Sequence, residues 1–415
     1  MSKNTFFSGQ LIFSQLISLI SKPAVARTAT KCKSDYYTKK FDTYSHLITM
    51  LFVIFKGCNS IRETVMGLGV CYNKLPHVGL SNIPGRSTLS DANSRRDSEV
   101  FAQIHQHLYT QYRYFLPDSR TKKGKENLYI VDSTTVSLFQ EILKTTGVDP
   151  LNGKRKGGFK VHTLMKADED VPCFVRMNSA ASHDSPFLKH INLPQGSTLV
   201  FDRGYVNYQQ YNRFTKENVW IVTRPHETTI WNVENERNVN DFQRKSGVLH
   251  DYEVTLGHSH NKKAIKVPGR IIFYQDPKTG SFFKFFTNNM KWKPLTVANL
   301  YQKRWQVEIL FKRLKQNYPL RYFLGDNENA IRIQTWCALI ADLLLKVIKS
   351  GIKRKWSFSG IASIVRQHLM EYIHLAGFLQ NPEVGMKMIS ERSKKHAPFD
   401  LFSQQQVKGG LELEF

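Results

Sequence analysis

The chain has 415 residues, of which 41% are hydrophobic and 12% aromatic, and this composition excludes a wholly disordered protein. Its 59 Lys and Arg residues outnumber 34 Asp and Glu residues. The formal net charge of +25 favours a polyanion such as nucleic acid as the partner. The length predicts two or three domains. The five cysteines are scattered without a Cys-x-x-Cys pair, so we expect reduced thiols and neither a disulfide framework nor a zinc site.

Residues 1–118 have the apolar spacing of helices, and we expect them to form an all-helical N-terminal DNA-binding domain. The most apolar run, LITMLFVIF at 47–55, has about half the length of a membrane span. It therefore predicts a buried helix and no membrane attachment. No secretory leader is recognisable, so we expect a cytoplasmic protein, bacterial and associated with the nucleoid when bound to DNA.

A second helical signal follows a stretch that is rich in Gly and Pro. Two short helices and a turn, with Arg86, Arg95 and Arg96 expected to be exposed, resemble a helix-turn-helix DNA reader. A helical domain with a solvated basic face explains these residues equally well. The second of these helices should bury one apolar face, made of Val100, Ile104 and Leu108.

After a charged linker the pattern changes to that of an α/β protein. Residues 119–225 contain strand patterns alternating with two helices, which predicts a core with mixed strand order. Residues 226–281 are polar with short alternating pieces and predict a mostly β insertion. Residues 282–350 should return to the core with a strand at 284–289 and then helices, and residues 351–415 should form a C-terminal helical region.

The segment YQKRWQVEILFKRLKQ at 301–316 is predicted to be one helix. At about 100° per residue, Tyr301, Arg304, Glu308 and Lys315 lie within an arc of roughly 60°. Trp305 is assigned to the core because it abuts the apolar residues. Beside that arc lies a stripe expected to pack against the core, formed by Val307, Leu310, Phe311 and Leu314.

Glu308 is a single carboxylate among cations on this helix. It could bind a divalent metal while Arg304 holds a phosphate. Alternatively, it pairs with Arg304 or Lys312 four residues away on a solvated face.

Two aspartates stand in or after apolar strands, where a carboxylate is costly to bury without a partner. Asp132 follows LYIV, and Asp202 follows STLVF. With Glu308 they could meet at one sheet edge around cations. The alternatives are a turn or cap residue for Asp132, and an ion pair with Arg203 or a helix N-cap for Asp202.

The spacing Tyr301-x2-Arg304-x3-Glu308-x6-Lys315 resembles the Y-R-E-K signature of insertion-sequence transposases of the IS-four type, which are cut-and-paste DDE enzymes. The blocks VDSTTV, GGFKVHTLMKA, SHDSPFL, LVFDRGYVNY, VTRP and FFTNN are similar to this family's blocks and occur in the same order. The resemblance extends over nearly the whole chain.

The resemblance implies an α/β fold with a ribonuclease-H-like core, interrupted by the mostly β insertion and flanked by the N-terminal helical domain and C-terminal helices. It implies that Asp132, Asp202 and Glu308 are catalytic and hold two Mg²⁺ ions, for which Mn²⁺ can substitute. Tyr301, Arg304 and Lys315 would hold DNA phosphates. The substrates would be double-stranded DNA, as terminal inverted repeats and target, bound by a homodimer that pairs two ends.

Further residues outside the four-residue signature are candidates for DNA contact or for structural roles. The family stacks a flipped base on an aromatic side chain, and Trp231 and Trp292 are candidates. The run 154–156 either touches phosphate or is a solvated loop. His162 and His183 are interpreted as hydrogen-bonded structural residues.

Two other functions compete with that of a transposase. The first is a non-catalytic, sequence-specific DNA-binding protein, such as a decayed copy or a self-repressor. The intact set of three carboxylates argues against it. The second is a plain nuclease with the same core, which would need neither the insertion nor the four-residue signature.

Overall fold

A computed structural model describes residues 9–116, 127–137, 158–167, 169–179, 182–257 and 265–393. The predicted basic run at 154–156 lies outside the described residues. Within them, no helix is both long enough and apolar enough to cross a bilayer.

The N-terminal region is helical, as the apolar spacing predicted. Its α-helices are α1 (Ile12–Ile17), α2 (Lys22–Lys31), α3 (Thr43–Lys56), α4 (Ile61–Val70), α5 (Arg86–Arg95) and α6 (Glu99–Tyr112). Short 3-10 helices cover Tyr72–Val78 and Arg113–Phe115.

Helix α3 confirms the prediction of a buried helix at 47–55. It begins where the Asp42 side chain accepts a hydrogen bond from the Ser45 N–H, and it ends at Gly57 in the left-handed conformation, φ 76°. Every residue from His46 to Phe55 is buried. The helix is apolar on all sides because protein surrounds it on all sides.

The two predicted helices of the helix-turn-helix are present, but the predicted exposure of one of its three arginines is wrong. Helices α5 and α6 are separated by three residues, and Val100, Ile104 and Leu108 are buried as predicted. Arg86 and Arg95 are exposed, but Arg96 is only 7% exposed. Its guanidinium donates to the Phe41 carbonyl oxygen at 2.8 Å, so it is a structural residue.

The remainder of the chain is built on one mixed sheet. Its strands are β1 (Leu128–Ser137), β2 (Gly158–Lys166), β3 (Pro172–Ser179), β4 (Thr198–Phe201), β5 (Trp220–Thr223), β6 (Trp231–Glu236), β7 (Val248–Leu256), β8 (Val267–Gln275) and β9 (Phe282–Thr287). The order is β3-β2-β1-β4-β5-β9-β8-β7-β6. β1, β4 and β5 run parallel, and β2 and β3 are antiparallel to their neighbours.

The first five strands have the order and directions of a ribonuclease-H-like core, which confirms the predicted fold class. The insertion is mostly β, as expected, and it extends the same sheet through β9, which pairs antiparallel with β5. The remaining helices are α7 (Tyr208–Lys216), α8 (Asp241–Lys245), α9 (Pro294–Gln302), α10 (Trp305–Asn317), α11 (Glu328–Ser350), α12 (Phe358–His368), α13 (Leu375–Gln380) and α14 (Pro382–Ser393).

Helices cover both faces of the core strands. On one face, Ile130 and Val161 share a hydrophobic core with α3, α6, α10, α11 and α12. On the other face, Leu199 and Phe201 pack against Tyr211 and Phe214 of α7. The N-terminal and C-terminal helices therefore lie on the same side of the sheet as α10, the helix that carries Glu308.

The segment 301–316 is two helices, so the prediction of one helix is wrong. α9 ends at Gln302 and α10 begins at Trp305. Across this break the N–H groups of Lys303, Arg304, Gln306 and Val307 bond to carbonyls three residues back, which tightens the chain. A single 100° repeat across the break is therefore not valid.

The apolar stripe nonetheless survives, because it lies wholly within α10. Its four residues are all buried. The core assignment of Trp305 is wrong: its side chain is 60% exposed, and Ile309 one turn later is 52% exposed. Trp305 is the first residue of α10, and its exposed side chain lies on the helix face away from the apolar stripe.

A buried ion pair fixes α10 against α11. Arg313 donates from Nε and Nη2 to the two carboxylate oxygens of Asp342 at 2.9 and 2.8 Å. Asp342 is 1% exposed and Arg313 7%. Arg313 also donates to Asp170 at 2.8 Å, and Asp170 in turn pairs with Lys346 of α11. This bidentate geometry sets the rotation of the helix that presents Glu308.

We expect Arg313→Met to lower the free energy of unfolding by about 3–5 kcal/mol, because Asp342 would remain buried without a partner. The double variant with Asp342→Leu should recover most of this loss. Chemical denaturation at pH 7 measures both, with Glu383→Ala, which removes an exposed pair with Arg354, as a control near zero. Equal losses in the single and double variants would contradict this account.

Candidate active site

Asp132 lies in the middle of β1, beyond the buried residues Ile130 and Val131. It pairs in register with Thr163 of β2, and its Oδ1 accepts a hydrogen bond from the Ser133 N–H at 2.8 Å. A strand position excludes the turn or cap alternative.

Asp202 lies beside Asp132 because of the parallel register of β1 and β4. Val131 is opposite Phe201, the last residue of β4, so Asp132 within β1 and Asp202 directly after β4 are the next residues along the two chains. Asp202 precedes the short 3-10 helix Arg203–Tyr205, but its side chain makes no cap hydrogen bond there. Arg203 pairs with Glu227 instead. Two carboxylates therefore meet at the carboxyl edge of neighbouring parallel strands.

Glu308 reaches this edge through Arg304. The Arg304 guanidinium donates to Asp132 Oδ2 at 2.8 Å and to Glu308 Oε1 at 2.5 Å. The alternative of an ion pair between Arg304 and Glu308 is thus found, but the same arginine also binds the strand carboxylate. One cation bridges two of the predicted catalytic carboxylates.

The environment of Asp132 favours its protonated form. The pKa of Asp132 is raised from 3.8 to about 6, mainly by burial and to a smaller extent by the negative charges of Asp202 and Glu308. The Ser133 N–H and the Arg304 guanidinium act in the opposite direction on this pKa and do not cancel the shift. The site therefore holds more negative charge than its single arginine balances.

Tyr301, at the end of α9, is buried and donates from its hydroxyl to Asp202 Oδ1 at 3.1 Å. Burial, together with Asp202, raises the pKa of this phenol to about 12. It therefore stays protonated at neutral pH and remains a hydrogen-bond donor.

Lys315 is on the exposed side of α10, where desolvation lowers the pKa of its amine. Its Nζ donates to the Thr135 carbonyl of β1 at 3.3 Å. It lines a cavity of about 900 Å³ that also contains Asp132 and Glu308. Further cationic side chains on this cavity are Lys312, Arg321 and Arg366.

A neighbouring polar cluster was missed by the sequence reasoning. The Asp184 carboxylate pairs with Lys160 at 2.8 Å and accepts from the Ser133 hydroxyl at 3.4 Å. A Cβ added at Gly204 would lie 3.1 Å from it. Asp184 thus contacts both chain segments that carry the two aspartates. The signal was an acid within the SHDSPFL block, which carried no spacing information of its own.

Other predicted residues have ordinary surroundings. His162 is buried with Nδ1 3.1 Å from the Tyr205 hydroxyl, as expected of a structural histidine, and His183 is exposed. Trp292 lies edge-on to Trp220, and the Lys284 amine is 5.7 Å from the Trp231 ring centroid. A base-stacking role for either tryptophan stays a prediction.

Comparison with known proteins identifies the family. Residues 123–344, more than half of the chain, match the family described as "Transposase DDE domain". The chain belongs to the DDE transposases. Residues 8–81 match a second family, described only as a domain of unknown function.

Individual relatives agree with this family. The transposase is 31% identical over 314 residues to a Sinorhizobium fredii protein named "Putative transposase y4zB", with 75% of this chain and 85% of the relative covered. It is 26% identical over 272 residues to a Synechocystis protein named "Putative transposase for insertion sequence element IS4SA", covering 63% and 71%. The insertion-sequence assignment is thereby confirmed.

A solved structure, the piggyBac transposase synaptic complex with hairpin DNA, has a TM-score of 0.41 and 10% identity. It covers 97% of this chain and 84% of that chain. This similarity is too low to carry an argument about the present transposase.

DDE transposases act on DNA with divalent metal ions. Among the described residues no three His, Cys, Asp or Glu side chains converge closely enough to hold an ion. The donor chemistry nevertheless fits a hard cation, because all three predicted ligands are carboxylates and two of them, Asp132 and Glu308, already share the charge of Arg304. The negative charges of Asp202 and Glu308 both raise the pKa of Asp132, so a positive charge between these carboxylates would reduce their repulsion.

We expect Asp132→Asn to stabilise the metal-free protein above pH 6 by about 2–3 kcal/mol, because the folded state favours the neutral side chain. A raised folded pKa gives stability that is present below the unfolded pKa and is lost as the pH rises through about 6. The difference between the two proteins should therefore vanish near pH 4.

Denaturation in EDTA at pH 8 and pH 4 measures this effect, with the exposed Asp326→Asn as the control. An Asp132→Asn variant that is less stable at both pH values would mean that the Arg304 ion pair outweighs the cost of burial.

Proposed function

We propose that this transposase catalyses cut-and-paste transposition of its insertion sequence, with Asp132, Asp202 and Glu308 as the catalytic carboxylates. The supporting observation is the bridge from Arg304 to both Asp132 and Glu308, with Asp202 directly after β4, the parallel strand that pairs with the strand of Asp132. Three elements distant in sequence supply these side chains to one edge of the sheet.

The same carboxylates would hold two Mg²⁺ ions, for which Mn²⁺ can substitute. When bound, such ions activate water or a hydroxyl as nucleophile and neutralise charge on the phosphodiester. Ionised Asp132 is required for this, and at neutral pH, above its pKa of about 6, this carboxyl is mostly ionised. The positive charge of Arg304 favours the ionised form.

Arg304, Lys315 and Tyr301 would orient the DNA phosphates. Arg304 would exchange its carboxylate partners for a phosphate oxygen, since its planar guanidinium can bind either bidentately. Lys315 would contribute charge from the cavity side. Tyr301 would act as a neutral donor, consistent with its raised pKa.

The reaction sequence implied by the family resemblance is hydrolysis of one strand at each end, hairpin formation by the freed 3′-hydroxyl, hairpin opening, and attack on target DNA. Each step is a displacement at phosphorus, so one set of side chains serves all four. Cutting two terminal inverted repeats together requires two active sites, hence a homodimer on paired ends. Such an enzyme would work in the bacterial cytoplasm, on nucleoid DNA.

We expect Glu308→Gln to reduce strand cleavage by roughly 100-fold or more, because a neutral amide is a poor ligand for Mg²⁺. The assay mixes protein with a duplex carrying the element's terminal repeat, with Mg²⁺ or EDTA, and separates nicked and hairpin products on a denaturing gel. Glu328→Gln, an exposed glutamate of α11, is the matched control.

Nicks and hairpins that require Mg²⁺ and disappear only in Glu308→Gln would support the proposal. If wild type binds the repeat but does not cut it in the presence of any divalent metal, the catalytic proposal fails, and a non-catalytic DNA-binding protein is the better description.

We expect Arg304→Ala to bind Mn²⁺ more tightly in the absence of DNA, by about tenfold, because Asp132 and Glu308 lose the cation they share. The same variant should cleave DNA more slowly, since a phosphate contact is lost. The rise in melting temperature with added MnCl₂ measures metal affinity, and Arg304→Ala combined with Glu308→Gln should show no such rise. Identical Mn²⁺ responses in wild type and Arg304→Ala would contradict the bridging role.

A further inference from the structure

The connection between α2 and α3, residues 32–42, exposes two adjacent aromatic side chains. Tyr36 is 75% and Tyr37 92% exposed, and their rings meet edge to face with centroids 4.6 Å apart. We call this segment the tyrosine loop. Large aromatic side chains exposed together are uncommon unless they serve a contact.

The tyrosine loop is strongly basic. Lys33, Lys39 and Lys40 are exposed in it, and Arg27 and Lys31 are exposed on the end of α2 that leads into it. None of these five cations forms an ion pair with another described residue. Arg27 and Lys31 also line a second cavity, of about 350 Å³.

The two acids of the loop are already engaged inside the protein. Asp35 pairs with Arg96 at 3.3 Å and accepts from the Thr43 N–H at 2.8 Å. Asp42 caps α3 by accepting from the Ser45 N–H. The three exposed lysines of the loop outnumber these two half-buried acids, so the charge that the loop presents to solvent is mainly positive.

Arg96 holds the loop in one shape. From the connection between α5 and α6, its Nη2 donates to the Phe41 carbonyl at 2.8 Å and to the Thr38 hydroxyl at 3.4 Å, besides the Asp35 carboxylate. A buried guanidinium that binds three points along the loop reduces the entropy lost when the loop binds a partner. The arginine predicted to read DNA from a helix-turn-helix thus organises a different surface.

We propose that the tyrosine loop is a phosphate-binding surface for duplex DNA. Lys33, Lys39 and Lys40 would neutralise backbone phosphates, and the hydroxyls of Tyr36 and Tyr37 would donate to phosphate oxygens. This assigns a role within residues 8–81, whose family has no described function. It rests on the proposed function for the identity of the polyanion.

The test measures DNA binding by fluorescence anisotropy in EDTA, where no cleavage occurs. The full-length protein and a duplex carrying the terminal repeat are titrated between 50 and 200 mM NaCl. The loop variant is Lys33→Ala, Lys39→Ala and Lys40→Ala combined. The matched control, which removes the same charge from exposed lysines of the C-terminal helical region, is Lys353→Ala, Lys355→Ala and Lys387→Ala.

Each phosphate contact contributes about 0.9 to the slope of log K against log salt, so the loop variant should lose about 2.7. Wild type would then lose about 40-fold more affinity than the loop variant over this fourfold salt range. The control should keep the wild-type slope. Tyr36→Phe with Tyr37→Phe should weaken binding by about tenfold at an unchanged slope, because only neutral donors are removed.

Equal slopes for the loop variant and the control would overturn the inference, and so would full affinity in the double Phe variant. Melting temperatures of all variants should match wild type, because every substituted side chain is exposed. If wild type cleaves DNA with Mg²⁺ and the loop variant binds DNA as wild type does, only this inference is overturned and the proposed function stands. A wild-type protein that binds no DNA would instead count against the proposed function.

Discussion

The arrangement of the active site depends on how three carboxylates are kept together at a partly buried sheet edge. Like charges there repel and are poorly solvated, and the raised pKa of Asp132 records both effects. The Arg304 guanidinium offsets part of this by binding Asp132 and Glu308 together. The break between α9 and α10 serves the same end, because it places Tyr301 against Asp202 and Arg304 against Asp132.

Support for that edge comes from well-packed surroundings. The parallel register of β1 and β4 sets two of the carboxylates, and the buried pair of Arg313 with Asp342 fixes the helix that brings the third. Asp184 braces the strand and the turn next to them. The carboxylates and Arg304 would exchange ionic partners when metal and DNA bind. The strands and helices that carry them are held by packing and ion pairs, so these elements do not need to move.

Electrostatics also links the site to the rest of the surface. A net charge of +25 is far more than the active site uses, and part of it lies in the cavity beside Glu308 and part on the tyrosine loop. On the tyrosine loop, the buried Arg96 holds the backbone while exposed lysines supply positive charge. Beside Glu308, the apolar stripe of α10 packs against the core while the exposed Lys312 and Lys315 supply positive charge. Arg96 illustrates the difference, since burial turned a predicted DNA contact into a structural anchor.

Local periodicity in the sequence determined an α/β core, the buried helix at 47–55, the strand that carries Asp132, the strand that ends before Asp202, and the apolar stripe of α10. The ribonuclease-H-like fold class followed from the family resemblance. The family was recognisable from the spacing of Tyr301, Arg304, Glu308 and Lys315. Only the tertiary structure decided the helix break at Lys303 and Arg304, the exposure of Trp305, the burial of Arg96 and the place of Asp184. Each of these is set by contacts with residues far away in the chain, which no local pattern encodes.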